Sequence, residues 1–298
     1  MGFTAEESRA CRRLVEMALE EDLGTAGDIT SKAVIPPDLQ GQAAFVARAP
    51  GVVAGLPAVE LVLETVQTPL LKLQPLVEDG TRVNAGERIA IVTGLTEFIL
   101  TAERTALNFL QRLSGIATLT RRYVDAIAGL PCQILDTRKT TPGWRLLEKY
   151  AVRCGGGHNH RMGLYDGILI KDNHLVALGA AKEVFWSDAL REKCREQFVP
   201  LEIEIDKLDQ FYRALACLPK IILLDNMSPA ELRQAVQRRN KKAPQLLLEA
   251  SGGVTLETVR AIAETGVDRI SVGALTHSAP ALDIALDFEP GRNDRVSG

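Results

Sequence analysis

One stretch, residues 134–175, carries three of the four histidines and four cationic side chains that follow apolar segments or glycines. Arg138 and Lys139 follow a short apolar segment, Lys171 follows another, and His160 and Arg161 come just after a triple glycine. Like charges at this density repel one another unless an anion is bound among them. The stretch therefore predicts a site for a small, multiply charged anion; a solvated basic surface loop is the alternative.

The elements that must position these residues alternate between strand and helix after Gly115. Such alternation predicts a parallel sheet with right-handed crossovers. The predicted strands are 133–137, 167–171, 201–206, 221–225, 246–251 and 268–273, and the helices between them are 144–153, 178–194, 207–217, 228–239 and 255–265. We predict an α/β fold with an incomplete (β/α) barrel of about six to seven parallel strands and a smaller N-terminal α/β domain.

The N-terminal part of the chain has a different pattern. Residues 4–22 and 97–114 show helical spacing of apolar residues, and residues 42–94 are rich in short strands and turns. The predicted domains are 1–115, on which the C-terminal tail 276–298 could also pack, and a barrel domain at 116–275. At 298 residues the chain is long enough for both.

Further polar residues end the predicted strands. On α/β barrels the carboxyl ends of the strands converge, so side chains there share one rim. Glu204 and Asp225 would face this rim, where Mg²⁺, sugar hydroxyls and structural salt bridges are all open alternatives. Glycines at late strands, in Ser251-Gly252-Gly253 and at Gly273, are typical of phosphate binding through backbone N–H groups.

Composition limits the function classes. The net charge is −3, which gives no reason to expect a nucleic-acid partner. No run approaches the ~20 apolar residues of a membrane span, and no signal peptide is recognisable. The five cysteines are scattered without a CxxC pair, which favours reduced thiols and a cytoplasmic location.

The chain closely resembles the quinolinate phosphoribosyltransferase family. The match runs without a gap through DTRKTTPGWRLLEKYAVRCGGGHNHRMGLYDGILIKDNH, and continues in EEDLGTAGDIT, TAERTALNFLQRLSGIAT, LEIEID, ILLDN, SGGV and SVGALTH. A match of this length is far more specific than a short motif, and it covers nearly the whole chain.

The resemblance implies an activity and a set of roles. The activity is transfer of phosphoribosyl from phosphoribosyl pyrophosphate to quinolinate with loss of CO₂, which gives nicotinate mononucleotide for NAD biosynthesis. The implied cofactor is Mg²⁺, held by Glu204 and Asp225. The implied substrate-binding residues are Arg104, Arg138, Lys139, His160, Arg161, Lys171 and His277, and the catalytic residues are Lys139, Lys171, Glu204 and Asp225. Ser251, Gly252, Gly253 and Gly273 would hold the 5′-phosphate.

The same resemblance implies at least a homodimer. From the sequence alone Arg104 is a solvated helix arginine, but the matching arginine of the family reaches into the active site of the neighbouring subunit. Four other hypotheses compete with the transferase. They are a zinc protein using His158, His160 and His174, whose spacing fits no closed tetrahedral set, a non-catalytic phosphate-binding barrel, the molybdenum-transport-associated relatives within the family, and nicotinate phosphoribosyltransferase, which needs no pocket for a second carboxylate.

Overall fold

The computed structural model describes residues 2–66, 71–179 and 199–288, and these form two compact units. The first unit contains described residues up to Arg121, then Thr140–Gly156, and then the chain from Ser278 to Phe288. The second contains Arg122–Lys139 and the described part of Gly157–His277. Each unit is therefore discontinuous in sequence. Residues 289–298 of the predicted tail 276–298 lie outside the described residues.

The first unit combines helices with two antiparallel sheets. Its elements are α1 (Ala5–Leu23), α2 (Ile29–Val34), β1 (Gln40–Ala47), β2 (Gly51–Val52), α3 (Leu56–Val66), β3 (Lys72–Pro75), β4 (Arg82–Val83), β5 (Arg88–Leu95), α4 (Thr96–Ala126), α5 (Arg145–Cys154) and β12 (Ile284–Phe288). The larger sheet has the order β12-β1-β5-β3, and the smaller one pairs β2 with β4. Helix α1 begins with a capping box, in which Thr4 and Glu7 satisfy each other's backbone N–H groups.

Two predictions for this unit were incomplete. Helix α4 continues through Gly115 to Ala126, although the prediction ended it at residue 114. The glycine is there for close packing, because a Cβ on Gly115 would lie 2.0 Å from the carbonyl oxygen of Pro280. Helix α3 was missed inside a region that was predicted to consist of strands and turns; its buried residues include Leu56, Val59 and Val62.

A buried carboxylate joins α3 to α5 within the first unit. Asp79 is 7% exposed and accepts hydrogen bonds from the backbone N–H groups of Gly55 (2.7 Å) and Leu56 (3.1 Å) at the start of α3. The Tyr150 hydroxyl on α5 donates to the same side chain at 2.7 Å. Burial raises the pKa of Asp79, while these three donors act in the opposite direction.

We expect Asp79→Ala to lower the free energy of unfolding by about 2–4 kcal/mol, because it leaves two helix N–H groups and one phenol buried without this acceptor. Asp38→Ala is the matched control, because Asp38 is an exposed turn residue. Its expected change is below about 0.5 kcal/mol. Urea unfolding of both variants measures the difference, and equal midpoints would show that Asp79 does not hold α3 and α5 together.

The second unit is built on one parallel sheet, as predicted. Its strands are β6 (Gln133–Leu135), β7 (Ile168–Ile170), β8 (Leu201–Ile205), β9 (Ile221–Asp225), β10 (Leu247–Ser251) and β11 (Arg269–Ser271), in the order β6-β11-β10-β9-β8-β7. Beside β6, the backbone of His158 forms a parallel bridge with Leu135 and so adds the start of a seventh strand. These strands and the smaller N-terminal fold confirm the predicted fold class.

Helices follow the strands of this sheet. They are α6 (Asp172–Leu178), α7 (Phe211–Ala216), α8 (Pro229–Lys242), α9 (Val259–Ala263) and α10 (Ala274–His277). Residues 180–194 of the helix predicted at 178–194 lie outside the described residues. Across the described ranges 2–66, 71–179 and 199–288, every helix is too short or too polar to cross a membrane.

Candidate active site

The carboxyl ends of the parallel strands carry the predicted site residues in the order of the sheet. Starting from one edge, the order is Arg138 and Lys139 after β6, Gly273 after β11, Ser251 to Gly253 at β10, Asp225 at β9, Glu204 in β8 and Lys171 after β7. Positive side chains therefore stand at the two ends of the row, and carboxylates and glycines stand between them. An anion that spans the row meets cations at both ends.

Lys139, Gly273 and His277 form one corner of the rim. A Cβ on Gly273 would lie 3.0 Å from Cδ of Lys139 and 3.2 Å from two ring atoms of His277. The hydroxyl of Thr276 donates to the backbone oxygen of Lys139 at 2.7 Å and fixes this corner. A larger residue at position 273 would therefore push the lysine or the histidine away.

The turn after β10 fits against the turn after β9. Asn226 has φ of +54° and Gly252 has φ of +95°, both in the left-handed region. A Cβ on Gly252 would lie 2.2 Å from Oδ1 of Asn226, so only glycine fits there. The side-chain N–H of Asn226 donates to Asp225 at 2.7 Å, which orients that carboxylate. The glycine turn and the acid are thus held side by side.

Lys171 and Glu204 form an ion pair at the other end of the rim. Nζ of Lys171 lies 3.1 Å from Oε2 of Glu204, and the glutamate side chain is 11% exposed. Burial raises the pKa of Glu204; Lys171 lowers it, and the negative charges of Asp225 and Asp172 raise it further. Glu204 therefore lies close enough to Asp225 for the two charges to interact.

The positive charges of Arg138 and Arg161 act on each other. Burial lowers the pKa of Arg161, and the positive charge of Arg138 lowers it further. One N–H group of Arg161 donates to the backbone oxygen of Gly167 at 2.9 Å. Nε of Arg138 is buried and has no hydrogen-bond partner within the described part of the chain. Two cations that repel each other and a buried N–H donor without a partner are features expected of an anion site.

His160 points into a buried group of acids. Its Nε2 lies 3.2 Å from Glu202 and 3.3 Å from Glu249, and its Nδ1 accepts a hydrogen bond from the backbone N–H of Arg161 at 2.7 Å. Burial lowers the pKa of His160, and the two carboxylates raise it. The hydrogen bond from Arg161 N–H favours the neutral ring, because a second ring proton would lie on Nδ1 and break this contact.

The structure brings most of the predicted site residues onto one rim. Arg104 is exposed on α4 in the first unit, as its sequence position alone predicts. His158 and His174 are not part of the cluster with metal-ligand spacing in the described residues, which consists of His160, Glu202 and Glu249. The roles given to the individual rim residues stay predictions.

Sequence reasoning gave no role to two buried acids and a half-buried arginine near His160. Glu202, Glu249 and Arg269 come from different strands, and Nε of Arg269 lies 3.0 Å from Glu249. One signal was available for Glu249, which is a lone acid in the apolar run LLLEAS. A charge in such a run is costly to bury unless it is paired.

The parallel fold and its charged rim place the protein among α/β-barrel proteins whose functional site lies at the carboxyl ends of the strands. Residues 28–114 match the model of the quinolinate phosphoribosyl transferase N-terminal domain, and residues 116–287 match that of the C-terminal domain. The chain belongs to the quinolinate phosphoribosyltransferase family.

Relatives and solved structures agree with this assignment. The nicotinate-nucleotide pyrophosphorylase [carboxylating] of Mycobacterium leprae is 46% identical over 95% of this chain and 98% of its own length. The chloroplastic protein of the same name from Arabidopsis thaliana is 42% identical over 93% of this chain and 82% of its own length. The structure of the nicotinate-nucleotide pyrophosphorylase from Francisella tularensis is similar with a TM-score of 0.86 and 38% identity, over 95% of this chain and 97% of that one.

Proposed function

We propose that the protein transfers the phosphoribosyl group of phosphoribosyl pyrophosphate to quinolinate and releases pyrophosphate, CO₂ and nicotinate mononucleotide, a step of NAD biosynthesis. The observation that carries the proposal is the order of the rim, with cations at both ends and carboxylates and a glycine turn between them. This row suits two polyanions that must lie next to each other. The names of the relatives describe the same activity for those proteins.

Arg138 and Arg161 would bind quinolinate. The substrate carries two adjacent ring carboxylates, and a guanidinium fork binds a carboxylate through two parallel hydrogen bonds. Arg138 and Arg161 already lie close enough for their charges to repel, and Nε of Arg138 is an unused buried donor. Binding of the diacid would remove the repulsion and satisfy the donor, so the two arginines favour a ligand with two negative charges over one with a single charge.

Phosphoribosyl pyrophosphate would lie along the central strands. Backbone N–H groups in the turn Ser251 to Gly253 and at Gly273 can approach a phosphate closely, because the glycines have no side chain of their own. Lys139, at the Gly273 corner, provides a point charge for the pyrophosphate group. Glu204 and Asp225 would accept hydrogen bonds from ribose hydroxyls.

Glu204 and Asp225 also fit Mg²⁺. Both provide the hard carboxylate oxygens that Mg²⁺ prefers. The negative charge of Asp225 raises the pKa of Glu204, and a bound cation would offset this repulsion between the two carboxylates. Lys171 would then share Glu204 with the ion. Mg²⁺, when bound there, supplies positive charge that stabilises the departing pyrophosphate.

The reaction needs positioning and electrostatic stabilisation from the protein rather than a covalent intermediate. The arginines orient the ring so that its nitrogen attacks C1 of the sugar as the bond to pyrophosphate breaks, and Lys139 stabilises the negative charge that develops on the leaving group. The ring nitrogen is then positively charged and accepts the electron pair of the bond to the C2 carboxylate. CO₂ leaves, and C2 takes a proton from solvent.

One assay tests the proposal directly. The protein is incubated with quinolinate, phosphoribosyl pyrophosphate and Mg²⁺, and nicotinate mononucleotide and CO₂ are both measured. We expect equal amounts of the two products, and no CO₂ when nicotinate replaces quinolinate. Binding of phosphoribosyl pyrophosphate without release of CO₂ would instead favour a non-catalytic phosphate-binding barrel.

We also propose that the protein is a homodimer in which Arg104 of one subunit completes the site of the other. Arg104→Ala and Lys139→Ala proteins should each be nearly inactive alone. Mixed in equal amounts and allowed to exchange subunits, they should recover about a quarter of wild-type activity, because half of the dimers are hybrids with one intact site. Activity measured before and after exchange checks this, and no recovery in verified hybrid dimers would contradict a shared site.

A cytoplasmic location is proposed on the state of the cysteines. Cys11, Cys132, Cys154 and Cys217 are free thiols, and Cys194 lies outside the described residues. Burial raises the pKa of Cys11, Cys132 and Cys154 to about 12. Free thiols of this kind suit a reducing compartment.

A further inference from the structure

Two buried acids and a half-buried arginine lie on strands of the parallel sheet, away from the carboxyl ends of those strands. Glu249 is 0% exposed and Glu202 is 5% exposed. Nε of Arg269 lies 3.0 Å from Glu249, and the Arg269 side chain is 16% exposed. Burying carboxylates costs free energy even when they are paired, and apolar residues of similar volume are often as stable or more so. The two acids therefore call for an explanation beyond stability.

The common neighbour of the two acids is His160, whose ring connects them to Arg161. Nε2 faces both carboxylates at 3.2 and 3.3 Å, and Nδ1 accepts from the backbone N–H of Arg161 at 2.7 Å. The hydrogen bond made by one ring nitrogen decides which nitrogen carries the proton. The carboxylates hold the proton on Nε2, so Nδ1 remains an acceptor for Arg161 N–H.

A third acid fixes the backbone on the other side of His160. Asp136 is fully buried at the end of β6, and its carboxylate accepts from the backbone N–H of His160 at 2.9 Å and from the Asn159 side chain at 2.5 Å. The short segment from Asn159 to Arg161 is thus held from two sides. The guanidinium of Arg161, which ends this segment, donates to the backbone oxygen of Gly167 at 2.9 Å, where the positive charge of Arg138 acts on it.

We propose that Glu202 and Glu249 are positioning residues for quinolinate, which act through the ring of His160 on the backbone of Arg161. Loss of either carboxylate weakens the hold on the Nε2 proton, so the contact of Nδ1 with Arg161 N–H weakens and the two arginines can move apart. The fork that receives the diacid is then no longer formed in advance, and quinolinate binding weakens. The inference rests on the proposed function, because it takes quinolinate as the ligand of Arg138 and Arg161.

Glu249→Gln tests this at nearly constant shape. We expect its KM for quinolinate to rise about 10-fold or more, the effect of losing one charged hydrogen bond, while its KM for phosphoribosyl pyrophosphate stays within about twofold. Calorimetry should show the same loss in the Kd of quinolinate. Glu202→Gln should also raise the KM for quinolinate, and it replaces Glu249→Gln in the test if that variant does not fold.

A double-mutant cycle separates action through His160 from a general structural effect. In a His160→Gln background, Glu249→Gln should change the KM for quinolinate by less than about twofold, because the connection is already broken. Glu7→Gln is the matched control, because Glu7 is another buried glutamate paired with an arginine, Arg153 at 2.6 Å, in the first unit. It should lower the melting temperature without changing either KM.

Three results would overturn the proposal: equal rises in both KM values, full additivity of Glu249→Gln with His160→Gln, or unchanged quinolinate binding in folded Glu249→Gln and Glu202→Gln. Stabilisation of the wild type by Zn²⁺ that is lost in His160→Gln would show a metal site instead and would also overturn it. A wild type that binds no quinolinate would contradict the proposed function first, and the positioning role with it.

Discussion

Lys139→Ala should fold normally and lose about 10²–10³-fold in kcat, which is the effect expected when one preorganised positive group opposite a developing negative charge is removed. The side chain is exposed at the corner formed by Gly273 and His277, so little packing is lost. Release of pyrophosphate under single-turnover conditions measures the loss at the chemical step. The melting temperature, measured in parallel, should change by no more than about 2 °C.

Lys220→Ala is the matched control for this variant. Lys220 is also an exposed lysine of the second unit, but it lies directly before β9, at the amino end of the strand. Its turnover should equal that of the wild type. If Lys139→Ala and Lys220→Ala had the same turnover, Lys139 would not act on the leaving group, and the assignment of the Gly273 corner to pyrophosphate would be wrong.

Arg161→Ala should lose about 10³-fold in kcat/KM for quinolinate, since two charge-assisted hydrogen bonds to a carboxylate are each worth about 1.5–3 kcal/mol. Most of the loss should appear in the KM for quinolinate, and the KM for phosphoribosyl pyrophosphate should change little. Arg161→Lys keeps the charge but loses the fork, so its kcat/KM should fall between those of the wild type and the alanine variant. Steady-state kinetics with each substrate varied in turn gives both constants.

The control for Arg161 is Arg260→Ala, which removes an exposed arginine from a surface ion pair with Glu264. Such pairs contribute little, so neither stability nor kinetics should change measurably. An Arg161→Ala protein whose KM for quinolinate stays at the wild-type value would show that this guanidinium does not contact the diacid.

Much of the second unit could be predicted because its signals are local. The apolar runs mark the strands, so the predicted strand 221–225 coincides with β9 and the other described strands agree to within two residues at each end. The rim follows from those strands, since polar residues that end parallel strands must meet at one edge. The specific roles of the rim residues come from the family resemblance, and they stay predictions.

What could not be predicted depends on close approaches between distant parts of the chain. The helical pattern predicts an end at residue 114, but Gly115 lies inside the helix and allows a close contact with the backbone of Pro280, which is distant in sequence. The direction of the His160 ring depends likewise on Glu202 and Glu249, which come from strands that are not neighbours in the sheet. Residue type and spacing indicate that a residue is buried or polar, but they do not indicate which distant residue it contacts.

The pairing of β12 with β1 has a consequence for biosynthesis. It joins Ala43 to Phe288, so the whole second unit is translated between the two strands. Until β12 has been made, β1 is an edge strand with unpaired backbone groups, and such edges are prone to pair with other chains. Slow translation of the second unit should therefore lengthen the period in which the nascent first unit can aggregate.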